Sequence, residues 1–233
     1  MTTPIIFCAI DTSDLDHAIT LAKKIGNITG GIKLGLEFFN AFGPGGIEKV
    51  SAAAPNAALF VDLKYHDIPN TVAGAIRSIC TRVQPAYLNV HASGGLEMMQ
   101  AAKAACAPET KLLGVTVLTS MNAAQLAQTG VPDTPEEQVV RLAKLTQDAG
   151  LDGIVCSAKE LVTLNNTING DFDYVVPGIR PAGADIGDQK RVMTPKDAIT
   201  AGATHLVIGR PITQANNPAK AAQDIMELSL IHI

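Results

Sequence analysis

Short apolar segments alternate with helical segments eight times along this chain, and the alternation restricts the fold more than any other feature. Alternating strands and helices predict parallel βαβ units. Eight such units in 233 residues predict a (β/α)8 TIM barrel that occupies residues 1–233 as a single domain. The strand candidates are residues 5–10, 30–35, 58–64, 86–91, 112–119, 153–157, 173–178 and 205–210.

The intervening segments have helical periodicity, as in "DLDHAITLAKKIG" and "PEEQVVRLAKLTQDAG", and Gly150 is a candidate cap at the end of the second. The alternative fold is a doubly wound open sheet. That fold needs fewer strands and normally a glycine-rich first turn, whereas "AIDTSD" contains no GxGxxG. "AFGPGGIE" is glycine-rich, but it follows a helical start and is better explained as a connecting turn. The barrel is therefore favoured.

Composition excludes several classes of function. The net charge is -4 and no basic run occurs, so we expect no nucleic-acid partner. No apolar run approaches about 20 residues, so we expect no membrane span. "MTTPIIFCAID" has neither a basic region nor a cleavage site, so no secretory signal is expected. The four cysteines form no CxxC or ligand spacing, which indicates reduced thiols in a cytoplasmic protein.

Polar residues end nearly every predicted strand. Barrel enzymes carry their chemistry at the carboxyl ends of the strands, and a purely structural barrel would not need polar groups there. This placement therefore favours an enzyme. The residues at these ends are Asp11, Lys33, Asp62 with Lys64, His91, Thr119, Ser157, Arg180, and Gly209 with Arg210.

The third strand runs into "FVDLKYHDIPNT", residues 60–71. Asp62 and Lys64 are two apart and so face the same side of the strand, towards the barrel mouth. Lys33 and Asp67 would complete a network of two cations and two anions. The alternative is a buried ion-pair network that only closes the barrel. The position at strand ends, beside a predicted phosphate site, favours catalysis.

The phosphate site is predicted from the last two barrel loops, "PGIRPAGADIGDQKRV" and "IGRPIT". Barrels often bind phosphate there with backbone N–H groups. Gly209 would let the backbone approach an anion, and Arg210 would offer a bidentate guanidinium. We find no Walker loop, HExxH or dinucleotide motif, so no cofactor and no metal are expected. The combination suggests proton transfer at carbon on a phosphorylated small molecule.

The run "DLKYHDIPNT" resembles the D-x-K-x-x-D-I-x-x-T signature of the orotidine 5'-phosphate decarboxylase family. The segments "AID", "IKLG", "NVHASGG", "VTVLTSM", "PGIRP", "GDQKRVMTP" and "VIGRPIT" agree with it in order, over essentially the whole chain. The resemblance implies a homodimeric barrel with shared active sites. It also implies decarboxylation of orotidine monophosphate to UMP without metal or cofactor, the last step of de novo pyrimidine synthesis.

The resemblance also implies roles for individual residues. Lys64 would protonate C6 of the pyrimidine as carbon dioxide leaves, and Asp62 would lie against the substrate carboxylate. Asp11 and Lys33 would contact the ribose, and Asp67 and Thr71 would enter the neighbouring subunit's site. Thr119 would contact the pyrimidine, and Gln189 would bridge the base and the phosphate. The phosphate itself would be bound by Arg180, Gly209 and Arg210.

Two other functions compete with this one. Metal-dependent relatives such as hexulose-phosphate synthase share D-x-K-x-x-D but hold magnesium with an acidic residue at the second strand end. This chain has Lys33 at that place, and a cation there opposes metal binding. A nucleotide-binding sensor on an inactive barrel should have lost a catalytic charge, whereas all four charges are present.

Overall fold

The computed structural model describes residues 6–181 and 193–230, and these residues form a closed barrel of eight parallel strands. The strands pair in chain order, and the first pairs with the eighth. The predicted (β/α)8 fold is confirmed. The strands are β1 Ile6–Ala9, β2 Gly30–Gly35, β3 Ala58–Tyr65, β4 Tyr87–His91, β5 Lys111–Val115, β6 Gly153–Val155, β7 Asp173–Val176 and β8 His205–Ile208.

Helices follow the strands and cover the outside of the barrel. They are α1 Leu15–Thr29, α2 Leu36–Ala53, α3 Pro69–Val83, α4 Leu96–Ala105, α5 Ala123–Gln128, α6 Pro135–Asp148, α7 Leu161–Asn165, α8 Pro195–Thr200, α9 Arg210–Thr213 and α10 Pro218–Leu230. Single 3-10 turns precede α4 and α7, at Ala92–Gly94 and Ala158–Glu160.

Helix α6 illustrates how the sequence sets these elements. The Thr134 side chain accepts the backbone N–H of Glu137, and the Glu137 carboxylate accepts the N–H of Thr134. Pro135 fits the first turn because that position needs no N–H partner. The helix ends at Asp148, and Gly150 follows in the left-handed region with φ 75°. The predicted glycine is therefore present at the end of the helix, one residue after the C-cap residue Ala149.

The glycine-rich "AFGPGGIE" lies inside α2 rather than between elements. Gly43 has a φ of 58° and breaks the helical path, and Pro44 starts the second helical segment. A glycine with positive φ followed by proline ends one helical segment and starts the next at an angle. The predicted connecting turn is thus present as a short break between the two helical segments of α2.

Two apolar layers hold the barrel together. The larger layer lies between strands and helices and includes Val61 and Leu63. The smaller one fills the barrel interior and includes Phe7 and Phe60, whose ring centroids are 5.3 Å apart. Residues 60 and 61 therefore face opposite sides of β3, as strand geometry requires. Within the part of the chain that the structure describes, no helix is both long and apolar enough to cross a membrane.

Five predicted strands end earlier in the structure, namely β1, β5, β6, β7 and β8, and two of these differences move predicted site residues. Strand β5 stops at Val115, so Thr119 lies in the loop after it. Strand β8 stops at Ile208, and Arg210 starts the short helix α9. After β5 the apolar run continues past the strand into a buried connection, for example at Val117. Hydrophobicity alone cannot distinguish that connection from the strand.

Candidate active site

The charged pair of β3 lies at an irregularity in the strand. Pairing with β4 is regular up to Val61 and resumes at Tyr65, with a register shift between them. Lys64 has a φ of 50°, a conformation that non-glycine residues seldom adopt. Its backbone N–H donates to Oδ1 of Asn89, at 2.8 Å. Strand β3 therefore presents Lys64 through a bulge that a side chain of β4 stabilises.

The Asp62 carboxylate is the centre of the site. Its Oδ1 atom accepts hydrogen bonds from Lys64 Nζ at 2.5 Å and from Asn89 Nδ2 at 2.7 Å. Its Oδ2 atom lies 3.0 Å from Lys33 Nζ. Burial opposes ionisation, but the Lys33 and Lys64 ammonium groups and the two hydrogen bonds outweigh it, so the pKa of Asp62 lies well below its usual range. Asp62 is therefore an anion at neutral pH.

Lys33 links β2 to this carboxylate. Its Nζ atom also lies 3.8 Å from Oδ1 of Asp11, at the end of β1. Burial disfavours the charged form, but Asp62 and Asp11 outweigh burial and raise the pKa of Lys33. Gly35 leaves the space that this pair needs, because a Cβ there would lie 3.1 Å from the Asp11 oxygen and 3.3 Å from Lys33 Nζ. The lysine is thus held as a cation.

These charges line a cavity of about 480 Å³ at the carboxyl end of the barrel. Four cationic side chains and two carboxylates line it, a formal excess of two positive charges among the described residues. An excess of this sign suits a small anionic molecule. The charged lining residues are Asp11, Lys33, Asp62, Lys64, Arg180 and Arg210.

The same cavity is lined by the predicted phosphate residues. These residues are Gly178, Arg180, Gly209 and Arg210, and Thr119 lines the cavity as well. Arg180 is buried, and its Nη1 atom donates to the Ile179 carbonyl at 2.9 Å. The backbone carbonyl of the preceding residue therefore helps to hold the Arg180 guanidinium in the cavity wall.

Other predicted residues do not line this cavity. Asp67 and Thr71 are exposed beyond the end of β3 and at the start of α3. His91 is half-buried at the end of β4, and Ser157 is buried as the cap of a 3-10 turn. Gln189 lies outside the described residues.

Asn89 is the site residue that the sequence did not reveal. It is fully buried in β4 and contacts both members of the Asp62–Lys64 pair. The available signal was an amide inside the otherwise apolar run "AYLNV". A buried amide needs hydrogen-bond partners, but the sequence does not say which ones.

A second polar cluster closes the opposite end of the barrel. The Tyr87 hydroxyl donates to Oδ2 of Asp173 at 3.1 Å and lies 3.3 Å from Nε2 of His205. Lys111 Nζ donates to the same Asp173 oxygen at 2.7 Å. All four residues are the first of their strands. The Phe7 and Phe60 layer lies between this cluster and the charged cavity, so the two polar groups are separate.

Stability does not account for the charges in the cavity. Desolvation costs several kcal/mol per buried ion, and apolar replacements of similar volume are often neutral or stabilising. The Lys33 and Asp62 side chains are only 9% and 10% exposed. A chain selected for stability alone would not need them, which favours a chemical role. Among residues 6–181 and 193–230, no group of three or more His, Cys, Asp or Glu side chains could hold a metal ion.

Comparisons with known proteins agree with this geometry. The chain matches the model of the Orotidine 5'-phosphate decarboxylase / HUMPS family over residues 4–225. An orotidine 5'-phosphate decarboxylase of Sphingopyxis alaskensis is 51% identical over 225 residues, which cover 97% of this chain and 98% of the relative. The enzyme of that name from Rhodospirillum rubrum is 51% identical over 231 residues, covering 96% and 93%.

A solved structure is also similar. The crystal structure of orotidine 5'-phosphate decarboxylase from Lactobacillus acidophilus has a TM-score of 0.84 and 34% sequence identity to this chain. The match covers 97% of this chain and 99% of the solved one. The likeness therefore extends over the whole barrel.

Proposed function

The chain belongs to the Orotidine 5'-phosphate decarboxylase / HUMPS family, and on that premise we propose that the charged cavity decarboxylates orotidine 5'-phosphate through Lys64. The chain is an enzyme that converts orotidine 5'-phosphate to UMP and carbon dioxide, the last step of UMP biosynthesis. We infer that it needs no cofactor for this reaction.

The reaction breaks the bond between C6 and the carboxylate. The electron pair remains on C6 in the plane of the ring, where the π system cannot delocalise it. A preorganised ammonium next to C6 stabilises that charge and supplies the proton that forms the new C–H bond. Lys64 is left neutral and recovers a proton from water.

One observation carries this assignment: the Lys64 ammonium is fixed at 2.5 Å from Asp62 Oδ1 at the cavity wall. Two ammonium groups then flank one carboxylate, since Lys33 lies 3.0 Å from the other oxygen. Lys64 is aimed before substrate enters, so little reorganisation is needed. Asp62 beside the substrate carboxylate would also disfavour the bound ground state relative to the carbanion.

The other end of the substrate is anchored by its phosphate. Arg180, Gly209 and Arg210 lie together on the cavity wall and supply guanidinium groups and an accessible backbone for an anion. Phosphate contacts remote from C6 can supply binding energy that is used at the reacting carbon. Thr119 is assigned to the pyrimidine, and Asp11 with Lys33 to the ribose hydroxyls. Gln189, outside the described residues, is assigned to base and phosphate.

We propose in addition that two chains form a homodimer with shared sites. Asp67 and Thr71 do not line the cavity of their own chain. They lie beside Ile68, whose surface is 66% exposed. Leu36 and Leu96, at the starts of α2 and α4, are also exposed at this end of the barrel. Exposed apolar side chains around a carboxylate are suited to a two-fold interface that carries Asp67 into the partner's cavity.

A metal-dependent reaction of the family is the competing function. Lys33 lies in the cavity at the second strand end, 3.0 Å from Asp62, so an ammonium faces the carboxylate that a magnesium ion would need. The test follows the absorbance change of orotidine monophosphate in excess chelator. Full turnover is expected, and loss of activity that added magnesium restores would contradict the proposal.

The domain limits and the location remain predictions. We infer that residues 1–233 act as one catalytic domain, because strands from both ends of the chain close the same barrel. We infer a cytoplasmic location from four free cysteines, three of which are buried.

A further inference from the structure

We propose that Asn89 is a positioning residue that sets the place of the Lys64 ammonium. The inference rests on the proposed function, since it concerns how the proton donor of that reaction is held. Asn89 does not line the cavity, so it would act only through Lys64 and Asp62.

The first contact fixes the backbone of Lys64. Asn89 Oδ1 accepts the Lys64 N–H at 2.8 Å, within the stretch where pairing between β3 and β4 is irregular. Lys64 has a φ of 50° there, a strained conformation that persists only where the surroundings enforce it. The Asn89 acceptor thus stabilises the conformation from which the lysine side chain starts.

The second contact fixes the partner of the ammonium. Asn89 Nδ2 donates to Asp62 Oδ1 at 2.7 Å, and Lys64 Nζ donates to that same oxygen at 2.5 Å. One amide therefore acts on both the main chain and the side chain of Lys64. Its oxygen accepts the Lys64 backbone N–H, and its nitrogen orients the Asp62 carboxylate that accepts the hydrogen bond from the Lys64 ammonium.

The amide can act in one orientation only. Turning it over would place its oxygen against the Asp62 carboxylate and its NH2 group against the Lys64 N–H, so both contacts would become repulsive. Asn89 is fully buried, so water cannot replace either contact. The arrangement of the three residues Asn89, Asp62 and Lys64 is consequently rigid, which is what a proton donor aimed at one carbon requires.

The first test replaces Asn89 by leucine, which has a similar volume and neither contact. We expect kcat to fall about 100-fold, since a displacement near 1 Å of a reacting group has an effect of that order. The affinity for UMP, measured by calorimetry, should stay within about twofold of wild type, because the ribose and phosphate contacts lie elsewhere. Wild-type turnover, measured in parallel, tests the proposed function separately.

Thr116→Val is the matched control. Thr116 is buried in the barrel and donates to the Val155 carbonyl at 2.9 Å, but it contacts none of the charged residues. Its kcat should stay within about threefold of wild type. A kcat of Asn89→Leu in that range would overturn the proposal. So would equal losses of kcat and UMP affinity, which would indicate a structural role.

Asn89→Asp provides a pH dependence of kcat that a purely structural role of Asn89 would not produce. A protonated carboxyl offers one acceptor and one O–H donor, as the amide does, whereas the ionised form cannot donate and adds a charge against Asp62. The ratio of variant to wild-type kcat should therefore rise as the pH falls through the pKa of the new carboxyl. The same ratio for Asn89→Leu should not change. A flat ratio for Asn89→Asp in a folded protein would overturn the proposal.

Discussion

Lys64 Nζ lies 2.5 Å from Asp62 Oδ1, and the two residues belong to the same strand, only two positions apart. The contact is therefore local and forms with β3 itself. Lys33 reaches the same carboxylate from the neighbouring strand, at 3.0 Å. Removing Lys64 consequently leaves Asp62 with a second cation and with the Asn89 hydrogen bond, so the loss of the lysine need not unfold the barrel.

Lys64→Ala should abolish turnover while the fold persists. We expect kcat to fall at least about 1000-fold, because the variant loses both the proton donor and the cation at C6. Steady-state kinetics and the circular dichroism spectrum, with UMP binding, measure the two effects separately.

Lys103→Ala is the matched control for this variant. Lys103 Nζ also lies 2.5 Å from a carboxylate oxygen, that of Asp152, but on the helical side of the barrel. Its kcat should stay near wild type. An unfolded Lys64→Ala protein, or one as active as Lys103→Ala, would contradict the assignment of Lys64 as proton donor.

Arg210→Ala should weaken phosphate binding. We expect a higher KM and a kcat/KM lower by about 100-fold, since the variant loses a charge-assisted contact to a dianion. Arg82→Ala is a suitable control, because Arg82 pairs with Glu48 on the outer helices, at 2.9 Å. Equal kinetics for both variants would argue against a phosphate role for Arg210.

Free phosphite offers an independent measurement of the binding energy that the substrate phosphate supplies. In the intact enzyme it should partly restore activity on the nucleoside that lacks the phosphate, because it occupies the phosphate subsite and stabilises the active form. Arg210→Ala should respond less to phosphite. Wild-type activity that does not respond at all would contradict the remote-binding argument.

Mixed dimers test whether Asp67 serves the partner's site. One inactive chain carries Lys64→Ala and the other carries Asp67→Ala. If sites are shared, a mixed dimer has one site with both lesions and one with none. Random exchange makes about half of the dimers mixed, so activity should return to about a quarter of wild type.

A second mixture provides the control. Lys64→Ala mixed with Asp62→Ala should recover nothing, because Lys64 and Asp62 contact each other within one chain and every site keeps one lesion. Failure of the Asp67 mixture to recover after verified subunit exchange would rule out shared sites.

The polar cluster at the start of the strands should make stability depend on pH. His205 is buried, and this burial lowers its pKa, although Asp173 opposes the effect. The folded chain therefore favours neutral imidazole, and the unfolded chain, with a pKa of about 6.5, takes up the proton more readily. This stabilisation is present above that pH and is lost as the pH falls through it.

His205→Gln should reduce this dependence, since glutamine keeps a polar amide near Tyr87 and does not titrate. We expect the decrease in Tm between about pH 7.5 and about pH 5.5 to be smaller than in wild type. His17→Gln, on the exposed side of α1, should keep the wild-type decrease. An unchanged decrease in His205→Gln would mean that other groups cause it.

Strand positions were predictable because each strand is a short apolar run bounded by polar or glycine residues. The Asp62–Lys64 pair was predictable as well, since two residues at a spacing of two share a strand face whatever the register. Lys33 and Asp11 followed once the strands were assumed to be parallel, because their carboxyl ends then meet at one rim. The same reasoning predicted that Arg180 and Arg210 lie at that rim.

The remaining features depend on register, which the sequence does not specify. Asn89 meets Lys64 only because pairing between β3 and β4 shifts after Val61. Tyr87 meets His205, 118 residues later, only because the barrel closes with those strands nearly opposite. Neither contact has a signal within a local window. The bulge at Lys64 was missed for the same reason, since no glycine marks its left-handed residue.

The aromatic layer of Phe7 and Phe60 has a consequence for the catalytic cycle. It separates Lys64 from the titratable groups at the far end of the barrel, and neither ring can relay a proton. On the proposed mechanism, the neutral amine would therefore be recharged by water from the mouth of the barrel, the side on which the nucleotide would bind. Substrate entry and proton resupply would then share one opening of the barrel.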